Sequence, residues 1–163
     1  MKADMVKYAL GGALLAGAGL TAAAQDVADT ERPQAGEYRS TVTFQGLDLP
    51  GAPPQVAEMM GRLMSTTTTY CLTEAEIDEG FQAITDRSMK GAEDCSYDRY
   101  GFAGGQLDAE MVCRVDGRQM RMNMTGTADR TTSDITMKMS GDFGVGDGTM
   151  TLRAQAERIG ACS

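Results

Sequence analysis

The chain has 163 residues, a formal charge of -8 and no histidine. An acidic chain without a basic cluster is a poor partner for nucleic acid or for an anionic membrane. The missing histidine removes His-based acid–base chemistry, the Ser–His and Cys–His nucleophile pairs and the commonest zinc ligand.

Lys2 and Lys7 precede an uncharged Ala-, Leu- and Gly-rich run from Ala9 to Leu20, and Thr21-Ala22-Ala23-Ala24 then supplies small residues. Basic, apolar, then small is the order of a secretory signal peptide, expected over residues 1–24 with cleavage after Ala24. The apolar run is shorter than the about 20 residues that cross a bilayer, so no membrane span is expected after cleavage. Losing Lys2, Lys7 and Asp4 makes the remainder one unit more acidic. About 139 residues then remain, enough for one domain that buries roughly two-thirds of its unfolded surface.

Gln25 to Ala35 is polar, contains Pro33 and has no period, so residues 25–35 read as a flexible spacer before a single domain over 36–163. Tyr38, Val42 and Phe44 alternate with Arg39, Thr41 and Thr43, a first strand with one buried face. Gly46 to Pro54 reads as a loop, because Pro50, Pro53 and Pro54 cannot donate ladder hydrogen bonds. Pro54 suits the first position of a helix, and Val56, Met59, Met60, Leu63 and Met64 follow at helical spacing. Ser65 to Tyr70 is Thr-rich and reads as a second strand running into Cys71. Thr73-Glu74-Ala75-Glu76 matches a capping box, and Ile77, Phe81 and Ile84 predict a second short helix over Glu74 to Thr85. Ser88 to Asp94 is a polar connection.

Cys95 to Phe102 and Leu107 to Val115 predict a hairpin about the Gly104-Gly105 turn. Met120, Met122 and Met124, then Ile135, Met137 and Met139, then Met150, Leu152, Ala154 and Ala156 each alternate with polar residues. Successive strand side chains point to opposite faces, so these runs describe an antiparallel meander with one apolar and one wet face. The expected fold is α+β and mainly antiparallel β: a curved meander sheet of about seven strands, barrel-like in its curvature, with two short helices.

Cys71, Cys95, Cys113 and Cys162 are an even set in an exported chain and lack any C-x-x-C spacing, so two disulfides are expected. Three pairings are possible. Cys95 and Cys113 sit about equally far from the Gly104-Gly105 turn, which favours their pairing across the hairpin and leaves Cys71 with Cys162. Loop entropy gives about 3 kcal/mol to the short loop and about 5 kcal/mol to the long one.

Gly36-Glu37-Tyr38, Cys71-Leu72-Thr73, Cys95, Cys113, Gly117 and the terminal Arg158-Ile159-Gly160-Ala161-Cys162 together resemble a family of secreted proteobacterial proteins, domain of unknown function family 3617. The resemblance covers Gly36 to Ser163; the family often carries Trp where Tyr38 stands here. It implies a periplasmic location and a small domain. It implies no activity, so no catalytic residue is carried over.

Met1 and Met5 aside, all of the 13 methionines survive signal removal. If their strands pair, Met120, Met122, Met124, Met137 and Met139 share one face. Three readings follow. Met packs irregular gaps, so the row can be core. With Met59, Met60 and Met64 on the helix across its mouth, it can line a cavity for an apolar small molecule. Thioethers are also soft ligands suited to Cu(I). The favoured function is a non-enzymatic binding protein for an apolar ligand or an envelope protein partner, with no cofactor. The alternatives are a Met-rich Cu(I) protein and a carboxylate-based hydrolase. Glu74, Glu76 and Asp78 make a weak acid–base set, since helix capping explains them. Gly144 to Gly148 has the wrong spacing for a dinucleotide fingerprint and reads as a hairpin turn. Asp142 and Asp147, in the longer Gly141 to Gly148 loop, lack EF-hand spacing. The sequon at Asn123 lies in a strand.

Overall fold

A computed structural model describes residues 32–80, 82–84, 94–115, 117–144 and 146–163. The expected signal peptide, most of the expected spacer, Phe81, Thr85 and nearly all of the Ser88 to Asp94 connection lie outside them. The elements are β1 (Gly36–Asp48), α1 (Pro54–Met64), β2 (Thr66–Leu72), α2 (Glu74–Asp78), β3 (Cys95–Ala103), β4 (Gln106–Val115), β5 (Arg118–Ala128), β6 (Thr132–Asp142) and β7 (Asp147–Gly160). All seven strands pair antiparallel in one sheet of order β2-β1-β7-β6-β5-β4-β3. β3 to β7 form the meander that their period-2 alternation dictates, and β1 closes onto β7.

The turns carry the chemistry they need. Gly104 and Gly105, with φ of 60° and 69°, make the β3–β4 turn in the left-handed region that glycine adopts freely. Between β5 and β6 the Asp129 carboxylate accepts the backbone N–H of Thr131 at 2.7 Å and of Thr132 at 2.8 Å. Such a side chain stands in for backbone acceptors that a tight turn lacks.

The sheet does not close into a barrel, because β2 and β3 are its two ends. Two expectations need correcting, the loop from Gly46 and the length of the second helix. The strand β1 continues past Gly46 to Asp48: a bulge at Gln45 restores the register, and Gly46 and Leu47 then pair with Thr151 and Met150. The second helix stops at Asp78, since Gly80 (φ 91°) turns the chain before Gln82–Ile84 become helical again. Gln34 and Ala35, at the end of the expected spacer, are tied to the domain. Gln34 donates its N–H to the Arg130 carbonyl at 2.7 Å and accepts the Tyr38 hydroxyl at 2.8 Å, while Arg158 Nε donates to the Ala35 carbonyl at 2.9 Å.

Both disulfides join residues that strand pairing brings together. Cys95 and Cys113 are direct partners across β3–β4 and are bonded, closing a separation of 18 residues. Cys71 and Cys162 are bonded over a separation of 91. Cys71 on β2 and Gly160 on β7 both pair with Glu37, one from each side, so this bond straddles the start of β1.

The apolar face holds two buried clusters. Phe102, Leu107, Ala109, Met111, Cys113, Met124 and Ala128 fill the β3–β5 side. Tyr38, Leu72 and Ile77 fill the other, where α2 packs. In the capping box of α2 the Glu76 N–H donates to Thr73 Oγ1 at 3.3 Å and the Thr73 N–H donates to Glu76 Oε2 at 2.7 Å. That geometry occupies Glu76 in holding the helix start.

Candidate functional site

Register places the methionines in rows across the sheet. Met111, Met122, Met139 and Met150 are successive cross-strand partners on β4, β5, β6 and β7. Met124 and Met137 are partners two residues along, and Met120 sits between Cys113 and Gly141. Met120 Sδ lies 2.9 Å from where a Cβ on Gly141 would stand, so the glycine makes room for that thioether.

Helix α1 is set over this face by β1. Gly61 approaches the Phe44 ring so closely that a Cβ there would lie 3.3 Å from it, and the Ser65 hydroxyl after the helix accepts the Phe44 N–H at 3.2 Å. Only part of the helical stripe is thereby turned inward. Val56, Met60 and Met64 are half-buried, whereas Met59 is 48 % and Leu63 70 % exposed.

A groove of about 320 Å³ runs between α1 and the sheet. It is lined by Met60, Met64, Met120, Met122, Met139 and Met150, with Cys113 and Phe143, and Arg118, Arg121 and Asp142 stand on its polar side. Arg121 is paired with Asp98 at 3.2 Å and with Glu110. The Asp142 carboxylate accepts the Gly144 N–H at 2.7 Å, which shapes the β6–β7 turn that carries Phe143. Of the eight methionines singled out from sequence, five line the groove. Met124 and Met137 belong to the neighbouring core, where Met124 is only 2 % exposed, and Met59 faces solvent. Met150 was missed, although the alternation of β7 puts it on the same face. Phe143 lies in the β6–β7 turn and Arg118 opens β5 just after Gly117, so no period marks them.

The opposite face is polar. A shallow cleft of about 460 Å³ there is lined by Arg39, Thr41, Thr127, Thr132, Ser133, Asp134, Gln155, Ala156 and Glu157. Its carboxylates are tied into ion pairs: Asp134 accepts from Arg153 Nε at 2.7 Å, and Glu157 accepts from Arg39 at 2.9 Å. The Arg153 guanidinium holds the Asp134 carboxyl below the ordinary carboxylate range. A general acid for neutral pH needs the reverse shift, so this cleft lends the hydrolase alternative no support. Glu74, Glu76 and Asp78 do not converge on it either; Asp78 pairs with Arg32. Among the described residues no group of three His, Cys, Asp or Glu side chains could hold a metal ion, and no helix is long and apolar enough to cross a membrane.

Fold and site together define an open antiparallel sheet, stapled by two disulfides, that presents a thioether-lined groove under a short helix. Residues 33–162 match the family described as protein of unknown function (DUF3617), and the chain belongs to that family. No curated protein matches the chain, and no solved structure does.

Proposed function

We propose that this chain is an exported, non-catalytic binding protein that holds one small apolar molecule, such as an acyl chain, in the groove between α1 and the sheet. The observation that carries this reading is the groove itself. Its volume lies at the small end of the about 300–1,000 Å³ typical of ligand sites, and six methionines line it. Unbranched thioether side chains repack around apolar guests of differing shape. Export to the periplasm is supported by the signal-like order of residues 1–24 and by two disulfides, which persist in oxidising compartments.

Titration with an uncharged apolar fluorophore, 1-N-phenylnaphthylamine, tests this. The wild-type chain binds one equivalent and Met122→Leu retains it. Met122→Lys, which places an ammonium among the thioethers, abolishes it while the fold is kept. Equal binding by wild type and Met122→Lys would sink the proposal.

One observation favours a second reading. Met122–Met139 and Met124–Met137 are direct cross-strand pairs, which brings soft sulfur donors together as Cu(I) requires. A Cu(I) competition titration separates the two. A soft-metal site loses affinity in Met122→Leu, whereas an apolar groove keeps its probe in that variant.

A further inference from the structure

We propose that β2 is a dimerisation edge, on which a second copy of this chain pairs antiparallel to extend the sheet across a twofold axis near Thr68. An open sheet has two edges, and natural proteins guard such edges with charges or bulges. The β3 edge is guarded in this way: it carries Asp98 and Arg99, and its pairing with β4 is bulged between Tyr97 and Arg99. The β2 edge is not. Its sequence is Thr66-Thr67-Thr68-Thr69-Tyr70-Cys71-Leu72, without a charge or a proline, and every residue before Leu72 is exposed. Its register with β1 runs unbroken from Thr66 to Leu72.

Four observations name the occupant as the chain itself. The chain carries a charge of -8, so copies repel over most of their surface, and an uncharged strand is where they can meet. Thr side chains suit cross-strand pairing with one another, as Thr41 Oγ1 and Thr67 Oγ1 already do at 3.2 Å across β1–β2. Antiparallel pairing about Thr68 sets the chain before β2 against the partner's chain after it. The flanks are of opposite sign, with Arg62 in the last turn of α1 and Glu74 in the first turn of α2. Of the four exposed large apolar side chains among the described residues, Met59, Leu63 and Tyr70 lie on α1 and β2, where such a pair would cover them, and Ile159 lies on β7. The Cys71–Cys162 bond lies at one end of β2, where Cys162 Sγ is 4.0 Å from the Leu72 carbonyl, and Thr66 to Tyr70 form the rest of the strand. A five-residue ladder with this apolar fringe is a small interface, so association is weak and concentration-dependent.

Sedimentation equilibrium of the oxidised, processed chain tests this, with hydrogen exchange read at low and high concentration. The mass rises towards twice that of the monomer with concentration, and the amides of residues 66–70 gain protection over the same range. Thr68→Lys and Thr68→Asp each put two like charges beside the axis and raise the dissociation constant tenfold or more, with unchanged circular dichroism. A chain that stays monomeric at its highest soluble concentration overturns the proposal, including the case in which β2 takes a strand from another protein. A dimer that ignores both substitutions overturns it as well. The wild-type exchange pattern decides the matter if either variant fails to fold.

Discussion

Met122 on β5 stands directly across from Met139 on β6, and the same row continues to Met111 on one side and Met150 on the other. A row of four unbranched thioethers crosses the meander at the level where α1 lowers Met60 and Met64 towards it. Leu matches Met closely in volume, so Met122→Leu and Met139→Leu should each cost under about 1.5 kcal/mol in urea unfolding and leave apolar probe binding within a few-fold. A loss of several kcal/mol in either would mean that the sulfurs do more than fill space.

Gly126 pairs with Leu107 on one side and Ile135 on the other. A Cβ built there would lie 2.1 Å from the Asp134 carbonyl oxygen and 2.7 Å from Ile135 Cα, both backbone atoms that cannot swing aside. Gly126→Ala should therefore destabilise by about 2 kcal/mol or more, measured as a lowered denaturation midpoint at unchanged slope. An unchanged midpoint would show that β5 and β6 separate more readily than their register implies.

The two disulfides should differ in worth. Separations of 91 and 18 residues give a chain-entropy difference of about 1.5 kcal/mol in favour of Cys71–Cys162. Replacing Cys71 and Cys162 by Ser should lower the melting temperature more than replacing Cys95 and Cys113. It also frees the C-terminal end of β7 from the β2 edge, so amide exchange near Gly160 should accelerate in the first variant and not in the second.

Asp129 gives a pH-dependent contribution. The Thr131 N–H leads the donors that hold its carboxyl below the ordinary range, followed by the Thr132 hydroxyl and N–H. A group whose folded pKa is depressed stabilises above its unfolded value and loses that contribution as pH falls through the folded one. Asp129→Asn should thus cost about 1 kcal/mol at neutral pH, a modest figure because the carboxylate is exposed. The gap between wild type and variant should close as pH drops below the ordinary carboxylate range. A gap that persists in acid would assign the effect to geometry and not to charge.

Sequence carried the sheet well because its strands announce themselves locally. The Met120, Met122, Met124 alternation needs nothing beyond period 2 to become a one-faced strand, and the near-equal distances of Cys95 and Cys113 from Gly104-Gly105 set them opposite each other. What sequence did not carry depends on contacts between distant segments. The bulge at Gln45 follows from the pairing of β1 with β7, which lies at the other end of the chain. The stripe on α1 marks five apolar positions alike, and only the seating of Gly61 on Phe44 decides that Met60 and Met64 turn inward while Met59 and Leu63 do not. Gly80 sat inside a convincing helical pattern, and its positive φ ended it. For the site, strand period identified the thioethers of the floor, but nothing local distinguishes the groove-lining Met120 from the core residue Met124 two alternations away.

The measurement that bears most directly on the binding proposal is native mass spectrometry of the chain, purified without denaturant or extracting detergent from cells that express it. A reproducible organic mass should ride on the wild-type protein and be absent from Met122→Lys. The bare chain mass, or the chain with copper alone, would mean that the methionine-lined groove is not the seat of an apolar ligand.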